Sequence, residues 1–182
     1  LMIYGGSKGS HSINEALWSH LDEYKSKFQI IHVVGGHDWN ELEKKYNLLP
    51  ENQKKNYKIF PYLHEEMSAA FSCADLVVCR SGASTLGELP FYGIPAILVP
   101  YPYAWRYQKI NAQYLVDNQA AILIPDQELE SSLNAEINRL FDTPQKINNM
   151  RMAMSGLVKE NAAKEIAALL LSQGSSGKKG GR

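Results

Sequence analysis

The chain has 182 residues, of which 45% are hydrophobic, and this is enough to bury the core of a single globular domain. Its 19 basic and 19 acidic residues give a net charge of zero, which argues against nucleic acid as a partner. The two cysteines, Cys73 and Cys79, are too few for a disulfide framework and favour a reduced, cytoplasmic setting.

Short apolar runs alternate with amphipathic segments along the chain. We predict strands at LMIYG, FQIIHVVG, YKIFPYL, DLVVCR, PAILVPYP and AAILIP, with helices between them. Continuous apolar runs are typical of a parallel sheet covered by helices on both faces. The sequence therefore predicts an α/β fold with a doubly wound, mostly parallel, six-stranded Rossmann-like sheet. Extra helices follow to residue 173, and residues 174–182, GSSGKKGGR, are typical of a flexible tail or a cloning remnant.

Three loops that follow predicted strands have an unusual composition. They are GGSKGS, RSGAST and YPYAWRYQ, after the first, fourth and fifth strands. Ligands of doubly wound sheets bind at the carboxyl ends of the strands, so we expect these loops to line one cleft.

The first loop places Gly5, Gly6 and Gly9 around Ser7, so that backbone N–H groups can approach an anion at a helix N-terminus. It matches neither the dinucleotide fingerprint nor the P-loop, and so does not support an oxidoreductase or an ATPase. The alternative is a tight turn, with Ser10 or Ser12 capping the next helix.

The second loop repeats this chemistry with the hydroxyls of Ser81, Ser84 and Thr85 beside the small Gly82 and Ala83. A helix that begins near Ser84 would direct its first N–H groups into the cleft. A diphosphate held in this way needs no metal, and no His, Cys or carboxylate spacing indicates a metal site, so we expect neither a metal nor a cofactor.

Two further side chains are candidates for contacts with a sugar nucleotide. Glu88 lies one helical turn after Ser84 and can accept both hydroxyl protons of a ribose, although a solvated glutamate favoured by the helix dipole is an equal alternative. Gln108 and Asn111 can bind sugar hydroxyls beside an aromatic segment, whose members more often simply pack: Tyr101, Tyr103, Trp105 and Tyr107.

In order and spacing, three segments resemble the C-terminal, donor-binding half of the bacterial MurG glycosyltransferase family. They are GGSKGSHSINEAL, the block from PYLHEEM to LVPYP, and YQKINAQYLVDNQAAILI. The resemblance covers about residues 1–170 and is most specific between Ala74 and Pro100. It implies the second Rossmann-like half of a GT-B fold. It also implies an inverting, metal-independent transfer of N-acetylglucosamine from UDP-N-acetylglucosamine to lipid I, the undecaprenyl-diphosphate-linked MurNAc-pentapeptide, on the cytoplasmic face of the membrane.

The resemblance also implies a set of donor contacts. Ser7 would contact the diphosphate, and Leu63 would meet the uracil, largely through its backbone. Glu88 would bind the ribose hydroxyls and Gln108 the sugar. Thr85 and its neighbours would line the phosphates and continue that wall along the helix: Ala83, Ser84, Leu86 and Gly87. Tyr107 and Lys109 depart from the family pattern beside Gln108.

An inverting transfer also needs a general base. His11 is the nearest candidate, but a lone histidine beside a turn is more often a surface or capping residue, and we assign no catalytic residue. In the resembled family the acceptor site and base belong to an N-terminal half. The chain begins inside a predicted strand, so we expect that half to be missing and this chain to bind UDP-sugar without turnover.

Two alternatives remain open. One is the donor-binding subunit of a two-chain glycosyltransferase, and the other is a non-catalytic UDP-sugar-binding module. A sugar-nucleotide epimerase, which shares the GT-B architecture, is disfavoured because it needs acid and base carboxylates around the sugar and Glu88 is the only acidic residue of this region.

Overall fold

A computed structural model of the protein describes residues 1–6, 8–104 and 107–176, with side chains to residue 173. Its centre is a six-stranded sheet in the order β3-β2-β1-β4-β5-β6, with every pair of neighbours parallel. This confirms the predicted doubly wound sheet. The strands are β1 Met2–Tyr4, β2 Ile30–Val33, β3 Tyr57–Phe60, β4 Val77–Cys79, β5 Ala96–Leu98 and β6 Ala121–Leu123.

Helices connect the strands on both faces of the sheet and continue after the last strand. They are α1 His11–Trp18, α2 Leu21–Lys27, α3 Trp39–Asn47, α4 Glu51–Lys54, α5 Glu66–Ser72, α6 Thr85–Tyr92, α7 Tyr107–Asp117, α8 Leu129–Phe141, α9 Pro144–Ser155 and α10 Ala162–Ser176, with a 3₁₀ helix at Asp126–Glu128. The tail expected from residue 174 thus begins within α10, and residues 177–182 lie outside the described residues.

The segment SINEALWSHLDEY between β1 and β2 forms two helices, since α1 ends at Trp18 and α2 starts at Leu21. The Ser19 hydroxyl donates to the carbonyl of Ala16 at 3.0 Å, and the N–H of His20 donates to Leu17 in a tighter turn. These local bonds satisfy carbonyls at the end of α1, so the helix ends there.

Each face of the sheet packs against its own apolar core. Ile3 and Val78 point to the face covered by α1, α2 and α8, whereas their neighbours Met2 and Val77 point to the face covered by α5, α6 and α7. Because consecutive strand residues face opposite sides and both sides are buried, the strands are continuously apolar.

The carboxyl ends of the strands lie level with one another. Tyr4, the last residue of β1, pairs with Val33 on one side and with Cys79 on the other. The strand order reverses at β1 and β4, so the connections after these strands diverge to opposite faces and leave a crevice between them. No helix among the described residues is long and apolar enough to cross a membrane.

Candidate functional site

A cleft of about 1070 Å³ opens at this edge of the sheet. All three loops singled out from the sequence contribute to it, through Gly5 and Gly9 after β1, Ser84 after β4 and Tyr101 after β5. The connection after β2 adds Gly36 and His37, and Asp126 comes from the segment after β6. The three loops therefore line one cleft, as expected.

The glycine-rich loop is packed tightly against the end of β2. Gly9 and Gly35 both have φ of +85°, in the left-handed region that favours glycine. A Cβ on Gly35 would lie 2.2 Å from the Cα of Gly9, and a Cβ on Gly9 would lie 2.3 Å from the carbonyl oxygen of Val34. The N–H of Gly9 closes a turn by donating to Gly6 at 3.0 Å. Ser7, expected to contact the diphosphate, lies outside the described residues.

The loop after β4 offers unused backbone donors to this cleft. The N–H groups of Thr85 and Leu86 donate to the carbonyls of Gly82 and Ala83, each at 3.2 Å. By contrast, the N–H groups of Gly82, Ala83 and Ser84 make no hydrogen bond within the described residues. Three unused donors at the start of α6 form a site suited to an anion.

The side chains of this loop point in different directions. Ser84 is exposed on the cleft, whereas Thr85 is buried and donates its hydroxyl to the carbonyl of Arg80 at 3.2 Å. Ala83, before α6, and Gly87 in α6 are exposed, and Leu86 is half-buried. Ser84 and Thr85 contribute to the cleft wall, while Ala83, Leu86 and Gly87 lie next to it rather than in it.

Glu88 is half-buried on α6, beside the cleft rather than among its lining residues, and its carboxylate makes no hydrogen bond or salt bridge within the described residues. The hydroxyl of Tyr4 lies near it at the floor of the cleft and is also buried without a partner. Burial, then Cys79 and Glu88, raise the pKa of Tyr4 well above its usual range, so the phenol stays neutral. Both groups retain unused hydrogen-bonding capacity.

Leu63 lies in the connection between β3 and α5. Its side chain is buried in the core on the α5 side of the sheet, and its backbone N–H and carbonyl make no hydrogen bond within the described residues. A contact through the backbone, as the sequence comparison implied, is therefore open to it.

The two amides of α7 have separate roles. The Gln108 side chain lines the cleft and accepts the N–H of Tyr101 through Oε1 at 2.9 Å, so its amide nitrogen is the end left to a ligand. Asn111 instead donates to the carbonyl of the buried Ser81 at 3.0 Å. The Ser81 hydroxyl donates to the backbone carbonyl of Gln108 at 2.7 Å. Asn111 is not among the residues that line the cleft, and its amide joins α7 to the loop after β4, so its contact with a sugar stays a prediction.

Arg80 holds the loops of the cleft together, a role that the sequence did not indicate. Its guanidinium forms a salt bridge with Asp126, donates to the Ser12 hydroxyl at 2.9 Å and to the Val99 carbonyl at 3.2 Å, and lies 5.3 Å from the ring centroid of Tyr101. Arginine directly after an apolar strand was the only sequence signal.

Ser10 and Ser12 were the two candidates for the cap of α1, and neither caps it through its side chain. Ser12 bonds within the Arg80 network, and Ser10 occupies the N-cap position without a capping bond.

No group of three or more His, Cys, Asp or Glu side chains suited to a metal ion occurs in the described parts of the chain.

A parallel sheet of this strand order, with glycine and hydroxyl loops and free N–H groups at its switch point, defines a Rossmann-like domain. Within that class, the profile of the glycosyltransferase family 28 C-terminal domain matches residues 1–170. The chain belongs to this family.

Two sequence relatives carry the same functional name. A protein of Roseiflexus sp. (strain RS-1) is 40% identical over 190 residues, covering 93% of this chain and 43% of the relative. One of Desulforudis audaxviator is 36% identical over 176 residues, covering 93% and 47%. Both are named UDP-N-acetylglucosamine--N-acetylmuramyl-(pentapeptide) pyrophosphoryl-undecaprenol N-acetylglucosamine transferase. The chain thus spans about half the length of the curated relatives it matches.

Two solved structures are similar to this chain. MurG of Acinetobacter baumannii superimposes with a TM-score of 0.80 at 27% identity, covering 94% of this chain and 49% of that one. The C-terminal CMP-Kdo binding domain of WaaA from the same species has a TM-score of 0.57 at 12% identity, which shows a shared fold alone. The resemblance to the MurG family and to one half of a GT-B enzyme is confirmed.

Proposed function

We propose that this chain is the donor-binding half of an N-acetylglucosaminyltransferase that uses UDP-N-acetylglucosamine. The observation that carries the proposal is a set of unused groups in and beside one cleft. The N–H groups of Gly82 and Ser84 and the Gln108 amide belong to residues that line the cleft, and the Ala83 N–H and the Glu88 carboxylate belong to residues beside it. The names of the relatives supply the identity of the donor.

The diphosphate of the donor lies against the start of α6. The free N–H groups of Gly82, Ala83 and Ser84 donate to its oxygens, and the dipole of α6 favours the negative charge. The glycine-rich loop contacts it from the opposite side through Gly5, Gly6 and Gly9. These donors stabilise the departing UDP without a metal, and the transfer proceeds with inversion.

Each remaining part of the donor contacts a single residue. Glu88 accepts the ribose hydroxyls, because its carboxylate has no competing partner in the described structure. The backbone of Leu63 meets the uracil. The amide nitrogen of Gln108 donates to the sugar, and the N–H of Tyr101 fixes the orientation of that amide.

The acceptor and the general base belong to a second half, joined to this one in the same chain or supplied as a separate subunit. The relatives are about twice as long as this chain, which supports that assignment. Their named acceptor is linked to undecaprenol, a lipid, so the complete enzyme works at a membrane surface, on its cytoplasmic face.

Titration calorimetry with UDP-N-acetylglucosamine, UDP-glucose, UDP and GDP tests the proposal. We expect UDP-N-acetylglucosamine to bind most tightly, GDP to bind weakest, and excess EDTA to leave the affinities unchanged. Equal binding of GDP and UDP would contradict a uracil site, and no binding of any UDP compound would overturn the donor-binding function.

A turnover assay with a lipid-linked acceptor analogue tests the division of labour. This chain alone should transfer no sugar, and addition of the N-terminal half of a relative should restore transfer. Transfer by the chain alone would show that it contains a base. UDP-sugar binding without transfer under either condition would favour a non-catalytic binding module.

A further inference from the structure

A chain of hydrogen bonds runs from the core of the sheet to the mouth of the cleft. The two ring nitrogens of the fully buried His32 lie 2.9 Å from the Tyr57 hydroxyl and 2.9 Å from Oδ1 of Asn14. Nδ2 of Asn14 lies 2.8 Å from Oδ2 of Asp38, and the same oxygen lies 3.2 Å from Nδ1 of His11. Of the five residues in this hydrogen-bond network, only His11 lines the cleft.

The direction of each bond can be derived. Nδ2 of Asn14 must be the donor, because it also bonds to the carbonyl of Val34 at 3.1 Å, and a carbonyl can only accept. Oδ1 of Asn14 therefore faces His32 and accepts its Nε2 proton. Burial lowers the pKa of His32 to about 3, so the ring is neutral, and its other nitrogen accepts the hydroxyl proton of Tyr57.

This order fixes the state of His11. Within this hydrogen-bond network, each bond is donated in the direction of Asp38. The Asp38 side chain is only 11% exposed, so its negative charge must be compensated by nearby donors. Nδ1 of His11 donates to that carboxylate, so Nε2 is the nitrogen left for another partner. The His11 side chain is 60% exposed, so Nε2 can reach a ligand. Without one, it lies 3.3 Å from the exposed Glu15 carboxylate.

We propose that His11, held by Asp38, is a hydrogen-bond donor to the diphosphate of the bound nucleotide. A protonated imidazole donates from both nitrogens, whereas the neutral ring with its proton on Nδ1 would present a lone pair to the anion. Donation from Nε2 to the diphosphate therefore requires the protonated ring. This inference rests on the proposed donor-binding function and adds to it a pH-dependent contact.

The other charged groups around His11 can be distinguished from it by residue type. Glu15 on its own helix, and Asp38 and Glu41 at the start of α3, are carboxylates. Lys8 and the Arg80–Asp126 pair line the same cleft, together with His37. Among these groups, only a histidine ordinarily changes charge between pH 6 and 8. The diphosphate of a UDP-sugar is esterified at both ends and also keeps its charge across that range. His37 is therefore the one competing source of a pH effect.

Calorimetry with UDP-N-acetylglucosamine at pH 6 and pH 8, in buffers of different ionisation enthalpy, tests the inference. We expect the affinity of the unmodified chain to fall about tenfold between the two pH values, the order expected of one hydrogen bond to a charged group. Proton uptake should accompany binding near pH 8. His11→Gln should remove the uptake and most of the pH dependence, and its affinity should match the unmodified chain at pH 8.

Two variants complete the test. His20→Gln, outside the cleft, should keep both the affinity and its pH dependence. Asp38→Asn keeps His11 but removes the carboxylate that stabilises its charged form, so the fall in affinity should move to lower pH. Binding that does not change with pH, or a pH dependence removed by His37→Gln instead of His11→Gln, would overturn the inference while leaving donor binding intact. Absence of binding at both pH values would overturn both.

Discussion

Arg80 and Asp126 form a salt bridge that joins the end of β4 to the segment after β6, across 46 residues of sequence. Their side chains are 11% and 22% exposed, so the pair is largely shielded from water. Ser12 bonds to both partners and brings α1 into the same contact. The ion pair and Ser12 therefore fix α1, the end of β4 and the segment after β6 relative to one another.

Asp126→Ala should lower the free energy of unfolding by about 2 kcal/mol, because it leaves a shielded guanidinium without its carboxylate. Denaturant unfolding followed by circular dichroism measures the change. Asp142→Ala removes an exposed carboxylate at the end of α8 and should change stability by less than about 0.5 kcal/mol. Equal losses in the two variants would show that the ion pair contributes no more than a surface charge.

Glu88→Ala should weaken the binding of both UDP and UDP-N-acetylglucosamine by about 1 to 3 kcal/mol, since both ligands carry the ribose and would lose its acceptor. Calorimetry on the two ligands measures this. Glu43→Ala, which removes a half-buried carboxylate of α3 outside the cleft, serves as the control. Unchanged affinity in Glu88→Ala would place Glu88 outside the site.

Gln108→Ala should separate sugar binding from nucleotide binding. We expect a loss of about 1 to 2 kcal/mol for UDP-N-acetylglucosamine and none for UDP, because only the former offers the sugar hydroxyls. Gln113→Ala is a matched control, since Gln113 lies on the same helix and bonds to Asp117 at its surface. Equal losses for both ligands would indicate that Gln108 acts through the loop that it holds at Tyr101.

The sequence predicted the structural features that depend on local residue patterns. Continuous apolar runs predicted all six strands, and the glycine and hydroxyl residues after two of them, with the aromatic segment after a third, predicted the cleft. Contacts between distant positions left no local pattern, so the sequence did not reveal them. Arg80 and Ser12 are 68 residues apart, and Asn111 and Ser81 are 30 apart. Asn111 was assigned to the sugar because its residue type suited that role, and only the fold shows that its amide already has a partner.

Gly35→Ala should destabilise the protein by about 2 kcal/mol or more. A side chain at φ of +85° is strained, and its Cβ would lie 2.2 Å from the Cα of Gly9, where only backbone can move. Thermal or denaturant unfolding measures the loss. UDP binding should weaken as well, because a displaced Gly9 shifts the glycine-rich loop.

The adjacent Gly36 provides the control for this substitution. A Cβ on Gly36 would meet no atom within 4 Å, and its φ is not in the left-handed region. Gly36→Ala should therefore change the free energy of unfolding by less than about 0.5 kcal/mol. If both variants lost the same stability, the close approach of Gly35 to Gly9 would not be the cause.

His32 should make the stability of the protein depend on pH. Burial lowers its pKa to about 3 in the folded protein, whereas an unfolded histidine titrates near 6.5. Below about pH 6.5 the unfolded chain therefore binds a proton that the folded chain does not. The free energy of unfolding should fall with decreasing pH, with a slope approaching about 1.4 kcal/mol per pH unit from this residue.

His32→Gln should remove this slope, which is read from the difference between the unfolding free energies of the unmodified chain and the variant at pH 7, 6 and 5. This window lies above the range in which carboxylates titrate, so their contribution is small. Tyr57→Phe removes a hydrogen-bond partner of His32 but keeps the buried imidazole, so it should lower stability by about 1 kcal/mol and leave the slope intact. A difference that stays constant between pH 7 and pH 5 would show that His32 does not resist protonation in the folded protein.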